Sequence, residues 1–333
     1  MALSPERVAS LPEDDLRPRP RLQLVVSPRP GGKAFEGERM KLTIVVQNLG
    51  HGGLRDADGN PQDRWPLLAE RINTAADRVD VVLLSEVVGW DHYGHKQLAR
   101  AMDDLGLDAL PLAPSRSGYG TAVLYRPEVL GRWKRWNTDF SQETLHGFGV
   151  AAFEIEPLPA LLSFVPIHLT PNDPDAALGE AGVAATRGYK YGPFVLLAGD
   201  GNYPPAADSS PTPNYSEMRP YNIGSRTLMD WSKWDGSGMP PMLGPDRRVS
   251  RKFVHNGYVD VAQHLYNKTR DERLLAPTST DDRIDIAWVS RPLVPALVSY
   301  RRLPTPTGAS DHDGLVIVMD TDLINVSSPW IYR

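Results

Sequence analysis

The chain has 333 residues, 41% hydrophobic and 23% charged, ordinary values for a soluble globular protein with length for one large domain or two small ones. A net charge of −5 and the absence of cysteine exclude disulfides, thiolate metal sites and a global basic field that would draw in a polyanion, though not a local basic groove. No apolar run of about 18 residues occurs, and MALSPERVASLPEDDLRPRP lacks the apolar core of a secretory signal, so no stable membrane insertion and a cytoplasmic location are expected.

Residues 1–39 are rich in Pro, Arg and Gly, with one short apolar run, Leu22–Val26; they read as a flexible extension carrying at most an edge strand. The domain proper is expected over 40–333. Lys41–Gln47 (KLTIVVQ) is a buried strand by its β-branched run. Trp65, Leu68, Ile72, Ala75 and Val79 form one apolar stripe and predict a helix over Arg64–Val79. Asp80–Val87 (DVVLLSEV) is a second buried strand, and Leu98, Met102 and Leu105 mark another helix. Strands follow at Thr121–Tyr125, Val150–Glu156, Leu162–Leu169 and Phe194–Ala198, with a helix over Ala176–Tyr189 between the last two. Residues 203–246 are long, Pro- and Trp-bearing and weakly patterned, as lids and binding loops often are. Ile284–Val289, Leu297–Arg301 and Leu315–Met319 close the chain as strands. Strands interleaved with helices imply a layered α/β or α+β domain.

Polar residues recur where these apolar runs end. Asn48 ends the first, Glu86 lies near the end of the second, and His168 sits late in LLSFVPIHL. Asp200 and Asn202 follow FVLLAG, Asp285 interrupts RIDIAWV, and Asp311 and His312 precede the last strand. A buried charge is costly unless paired or metal-bound, so these groups are expected to converge on one site at a sheet edge. Glu86 and Asp311 offer anionic oxygens and Asn48 a neutral one, a set suited to magnesium or manganese, whereas zinc prefers more His or Cys. The two histidines with Asp285 add acid–base capacity, and the combination suits hydrolysis of a phosphate ester.

The ordered set QN (47–48), LLSEV (83–87), PIHL (166–169), GDGN (199–202), RID (283–285) and SDH (310–312) is similar to the endonuclease/exonuclease/phosphatase superfamily of deoxyribonuclease I-like phosphoesterases, over roughly residues 41–320. No single segment is specific; six in order are. The resemblance implies a four-layer α/β sandwich of two mixed sheets flanked by helices. It implies Glu86 as the principal metal ligand with Asn48 and Asp311 beside it. His312 would be the general base, oriented by Asp285, while Asp200 and Asn202 position the nucleophile and phosphate. His168 would contact the scissile phosphate or help the leaving group, as in deoxyribonuclease-like and sphingomyelinase-like members; abasic endonucleases carry tyrosine there. They also carry an acid where this chain has Gly50, which favours one ion, magnesium or manganese, over two.

Other features read as ordinary. Asp56-Ala-Asp58-Gly-Asn60 lacks the sixth-position Gly and twelfth-position Glu of a calcium loop and is a polar turn. His92 and His95 flank Gly94 and read as a solvated turn. His51, just after the first strand, is a candidate for touching substrate. Arg247, Arg248 and Arg251 read first as a solvated helix face, with a phosphate contact as the alternative. Trp231 and Trp234 are expected as core anchors rather than a stacking platform. The leading function is in-line hydrolysis of a phosphodiester or phosphomonoester, small-molecule or nucleotide, by a water that His312 activates. A nuclease acting on DNA or RNA is the first alternative, and a sphingomyelinase-like lipid phosphodiesterase the second, although no apolar membrane-contacting loop stands out in the sequence. A non-catalytic binding protein is the least favoured. No protein partner can be inferred.

Overall fold

Side-chain alternation along the strands determines the layers. The computed structural model describes residues 40–56, 58–280 and 282–327. The expected extension over residues 1–39, with its run at Leu22–Val26, lies outside the described residues. In chain order the strands are β1 (Lys41–Asn48), β2 (Val81–Ser85), β3 (Asp108–Ala109), β4 (Thr121–Tyr125), β5 (Arg135–Asn137), β6 (Val150–Phe153) and β7 (Leu162–His168). They continue as β8 (Phe194–Asp200), β9 (Thr227–Met229), β10 (Met242–Pro245), β11 (Tyr258–Asp260), β12 (Asp285–Ser290), β13 (Leu297–Leu303) and β14 (Gly314–Asp320). The helices are α1 (Trp65–Asn73), α2 (Lys96–Leu105), α3 (Pro127–Leu130), α4 (Pro174–Gly188), α5 (Pro220–Arg226), α6 (Arg248–His255) and α7 (Val261–Thr269).

Two mixed six-stranded sheets result among the described residues, ordered β13-β14-β1-β2-β4-β3 and β11-β12-β8-β7-β6-β5. Alternate residues of their strands face each other: Leu42, Ile44, Val46, Val81 and Leu83 from one sheet meet Phe153, Leu162, Phe164, Phe194 and Leu196 from the other. The intervening residues face outward. Val45, Val82 and Leu84 pack under Trp65, Leu68 and Ile72 of α1 and Leu98 and Ala101 of α2. Val165, Ile167, Val195 and Leu197 pack under Ala177, Ala181 and Ala184 of α4 and Val249 and Phe253 of α6. The order helix, sheet, sheet, helix is the expected four-layer sandwich. No helix among the described residues is long and apolar enough to cross a membrane.

Each sheet has one parallel pair near its middle, β1 with β2 and β7 with β8. Parallel strands end at the same edge, and the register aligns Asn48 with Ser85 and His168 with Asp200. The antiparallel neighbour β12 starts at that edge, with Asp285 opposite Asp200. The two sheets meet there too, since Ser85 Oγ donates to the Ile167 carbonyl at 3.1 Å. Within the second sheet, Gly199 of β8 lies opposite Ile167 of β7 and needs to be glycine: it has φ 150°, and a Cβ on it would lie 1.9 Å from the Ile167 carbonyl oxygen.

Helix α1 is shorter than its apolar stripe. It stops at Asn73, and Thr74 Oγ1 turns back to the Glu70 carbonyl. Ala75 and Val79 stay buried as the chain runs on toward β2. Residues 203–246 are more structured than their pattern suggests, holding α5 and the separate two-stranded β9–β10 hairpin. That hairpin corrects the expected burial of Trp231 and Trp234, which are 66% and 46% exposed and pack edge-on against each other at 5.7 Å. It pairs with neither large sheet, so no apolar face is at hand to cover them.

Arg64, buried at the start of α1, donates to the carbonyls of Gly50 and Ala309 and so ties the turn after β1 to the loop before β14. Replacing Arg64 by Met leaves the Ala309 carbonyl without this donor and the Gly50 carbonyl with only the Gly53 amide, and the expected loss is roughly 1–3 kcal/mol, read from urea unfolding with an unchanged m value. A loss below about 0.5 kcal/mol would show that the two carbonyls find other partners.

Candidate active site

The shared edge gathers the polar strand ends into one cleft of about 910 Å³. Its lining includes Glu86, His168, Asp200, Asn202, Asp311 and His312. Asn48 lies beneath, fully buried, its Nδ2 donating to Glu86 Oε1 at 3.2 Å and to Asp200 Oδ2 at 3.0 Å. Its Oδ1 accepts from the Gly50 amide at 3.0 Å. Glu86 follows β2 with φ 60°, a left-handed conformation that is unfavourable for a residue with a Cβ. The strained turn carries its carboxylate to Asn48 and to the His51 amide, which donates to Oε2 at 2.8 Å. Asn202 is also left-handed, at φ 59°, which Asn tolerates better. Its amide N–H donates to Asp200 Oδ1 at 2.9 Å and its Nδ2 to the Leu169 carbonyl at 2.8 Å.

His312 Nδ1 donates to Asp285 Oδ2 at 2.8 Å, and both residues are buried. Asp285 is held in turn by Thr278, whose Oγ1 accepts the Asp285 amide at 2.9 Å. This leaves His312 Nε2 free of that bond and 3.8 Å from Asp200 Oδ2. His168 reaches the same Asp200 oxygen at 3.8 Å through Nε2, its Nδ1 donating to the Tyr119 carbonyl at 3.1 Å. Asp200 therefore belongs to both groups of acids and histidines, among the described residues, whose ligand atoms lie within 4.8 Å of one another: Glu86–His168–Asp200 and Asp200–Asp285–His312.

Charge in this cluster is under tension. Burial pushes the Asp200 carboxyl up; the His312 and His168 imidazoles act against this, while Asp285 adds to it. Burial disfavours the His312 imidazolium, but the Asp285 and Asp200 carboxylates outweigh it and push the group up to about 10. A close set of carboxylate oxygens with histidines beside it fits a hard divalent cation, although Asn48 turns its Nδ2, not its oxygen, to the Glu86 and Asp200 carboxylates.

Not every expected residue joins the cluster. Asp311 lines the cleft but is exposed and belongs to neither group. His51 meets Glu86 through its main-chain amide, while its ring leans edge-on against Tyr119 at 5.6 Å. Arg247, Arg248 and Arg251 are outside the cleft lining and already engaged. Arg247 donates to the carbonyls of Pro205 and Ser210, Arg248 pairs with Asp246 and Asp175, and Arg251 pairs with Asp208. Asp246 and Asp208 come from the same weakly patterned stretch, so these pairings were not legible in the sequence. His92 and His95 are exposed, and Asp56 accepts from the amides of Asp58 and Asn60 as a polar turn does.

The structure adds His146, Tyr119 and Ser117, all lining the cleft. The His146 ring stacks on His168 with centroids 3.8 Å apart and planes 9° off parallel. Burial first, and the charge of His168 second, pull the His146 imidazole down to about 3, so it stays neutral, with Nδ1 2.7 Å from Ser117 Oγ. Its sequence context, LHGFG, has no apolar run whose end would flag it.

No family model and no curated protein matches the sequence. Solved structures do match. The endonuclease/exonuclease/phosphatase from Bacteroides vulgatus is similar at 14% identity and TM-score 0.55, over 84% of this chain and 99% of that one. AP endonuclease LMAP from Leishmania major is similar at 16% identity and TM-score 0.53, over 85% and 88% of the two chains. The 3′ phosphatase NExo from Neisseria, bound to a product DNA hairpin, is similar at 15% identity and TM-score 0.52, over 84% and 99%. The chain thus has the deoxyribonuclease I-like fold shared by endonuclease/exonuclease/phosphatase proteins.

The His312 shift has a definite sign. Its folded value lies above the usual 6.5, so its pairing stabilises fully below 6.5 and is lost as pH rises toward 10. In EDTA-treated protein, the stability advantage of wild type over His312→Gln should be largest near pH ~6 and shrink by pH ~9.5, read from urea unfolding. An advantage that grows with pH contradicts the assigned pairing with Asp285.

Proposed function

We propose that the protein is a divalent-metal-dependent phosphoesterase that cleaves a phosphate ester by in-line attack of water, small-molecule or nucleotide substrates being favoured. The observation that carries this is the His312–Asp285 pair, 2.8 Å apart, turned toward Asp200 in the same cleft as Glu86. His312 Nε2 is the general base that takes the proton of the attacking water. Asp285 holds the ring in the tautomer that leaves Nε2 available and stabilises the imidazolium that forms. Asp200 and Asn202 orient the nucleophile, Asn202 fixing the Asp200 carboxylate through its amide. His168 places Nε2 toward the scissile phosphate, with Nδ1 locked by Tyr119 and its face covered by His146. Glu86 would be the principal ligand of one magnesium or manganese ion, with Asn48 beside it and Asp311 at the cleft rim as the further candidates. Held there, such an ion would supply positive charge near the phosphate and oppose protonation of His312.

Glu86→Ala and His312→Ala should each lower kcat/KM by about a hundred- to ten-thousand-fold. The assay uses magnesium or manganese against EDTA on a phosphomonoester, a phosphodiester, plasmid DNA and RNA. Turnover that survives EDTA, or variants that match wild type, would remove this reading. A nuclease proper instead shows rates on DNA or RNA that fall steeply with salt.

A second reading, a lipid phosphodiesterase, rests on the β9–β10 hairpin. Contrary to the expectation of no apolar loop, Trp231, Trp234, Met239, Met242 and Leu243 are all exposed on or beside it. Only Asp230, Lys233 and Asp235 carry charge between β9 and β10, so such a surface suits zwitterionic rather than anionic lipid. If this reading holds, wild type floats with phosphatidylcholine–sphingomyelin vesicles and the double variant Trp231→Ser, Trp234→Ser does not. Equal recovery of both, or of neither, removes it.

A further inference from the structure

The insert between β8 and β11 supplies one wall of the cleft, including Asn214, Glu217, Arg219, Tyr221 and Arg226. Arg226 ends α5 and lines the cleft half-buried. Among the described residues its guanidinium has no ion pair, and its Nε is buried without a hydrogen-bond partner. The contrast with Arg247, Arg248 and Arg251 is direct, since those guanidinium groups are consumed by protein carbonyls and carboxylates. Arg219, at the other end of α5, lines the same cleft and donates to the Tyr221 hydroxyl at 2.7 Å, with no carboxylate partner among the described residues.

Among the described residues no acid on this wall is ion-paired with the two arginines, although the Arg226 charge is felt by Asp282. Glu217 accepts the Asn214 amide at 2.6 Å. Asp282 is buried and accepts the Tyr215 hydroxyl at 2.9 Å. Burial pushes its carboxyl up, against the Tyr215 hydrogen bond and the charges of Arg226 and Arg283. A guanidinium held in a cleft wall without an anion is a ready donor fork for phosphate oxygens.

We infer that Arg226, assisted by Arg219, forms a second anion subsite that takes a phosphate of the substrate other than the one cleaved. The preferred substrate then carries a second phosphate, either on a small bisphosphorylated molecule or as the neighbouring phosphate of a strand. This rests on the hydrolase reading for the scissile phosphate, but the subsite itself can be tested without turnover. The probes are adenosine 3′,5′-bisphosphate and adenosine 5′-monophosphate, titrated by calorimetry in EDTA. Wild type should bind the bisphosphate about tenfold or more tightly than the monophosphate. Arg226→Ala should bring that ratio close to one, and Arg226→Lys, which keeps the charge but not the fork, should restore part of it. Thermal unfolding of both variants is followed alongside, and a variant with a lowered midpoint is replaced by Arg226→Gln. No preference in wild type, no binding of either probe, or a ratio unchanged in the Arg226 variants overturns the subsite.

Competition by a five-residue oligothymidylate, weakened in Arg226→Ala, assigns the phosphate to a strand; no competition assigns it to a small bisphosphate. Selective binding in EDTA with no turnover in magnesium or manganese of the probes or of any substrate in the panel above overturns the hydrolase reading and leaves the subsite standing. Turnover without selectivity does the reverse.

Discussion

A buried carboxylate, Asp200, organises this molecule's working end. It is 2% exposed at the edge where both sheets end, and no lysine or arginine reaches it among the described ion pairs. An isolated ionised carboxylate in such a place is too costly to persist, so its surroundings are built to compensate. Asn48 and Asn202 donate to it, and His168 and His312 stand 3.8 Å away on either side. Those histidines are held by groups behind them, Tyr119 and Asp285. Glu86 adds a second carboxylate from a strained backbone position. So much negative charge with only imidazole beside it could hold a metal ion, which is the basis of the proposed hydrolase.

Sheet topology makes the convergence possible. One parallel pair in the middle of each sheet brings four strand ends to one edge, and the two sheets face each other across a continuous apolar core. Antiparallel β12 and β14 then contribute their beginnings rather than their ends, which is why Asp285 and His312 come just before or at the start of an apolar run. The layers outside the sheets, α1 and α2 on one side and α4 and α6 on the other, leave that edge uncovered.

Much of this was legible in the sequence because buried strands are apolar on both faces, and a polar residue at the end of such a run is conspicuous. Asn48, Glu86, His168, Asp200, Asp285 and His312 all carry that signal. The residues that escaped lie where the signal is absent. His146 and Tyr119 sit in Gly-rich turns, and Arg64 precedes an ordinary amphipathic helix. In the insert, the arginine cluster at 247–251 attracted attention by its density, but density reflects pairing with nearby acids. Arg226 and Arg219, isolated in the sequence, are the arginines that line the cleft among the described residues. Trp231 and Trp234 were misplaced for the opposite reason: tryptophan is usually buried, and only the separate pairing of β9 with β10 takes them away from the core.

The central claim is that the acids at this edge hold one divalent cation beside His312. Crystals grown with manganese and measured at its absorption edge test it most directly. A single strong anomalous peak is expected within coordinating distance of the Glu86 carboxylate, on the cleft side of Asn48 and Asp200. A map with no peak there, or with manganese only at surface carboxylates away from Glu86, would contradict it.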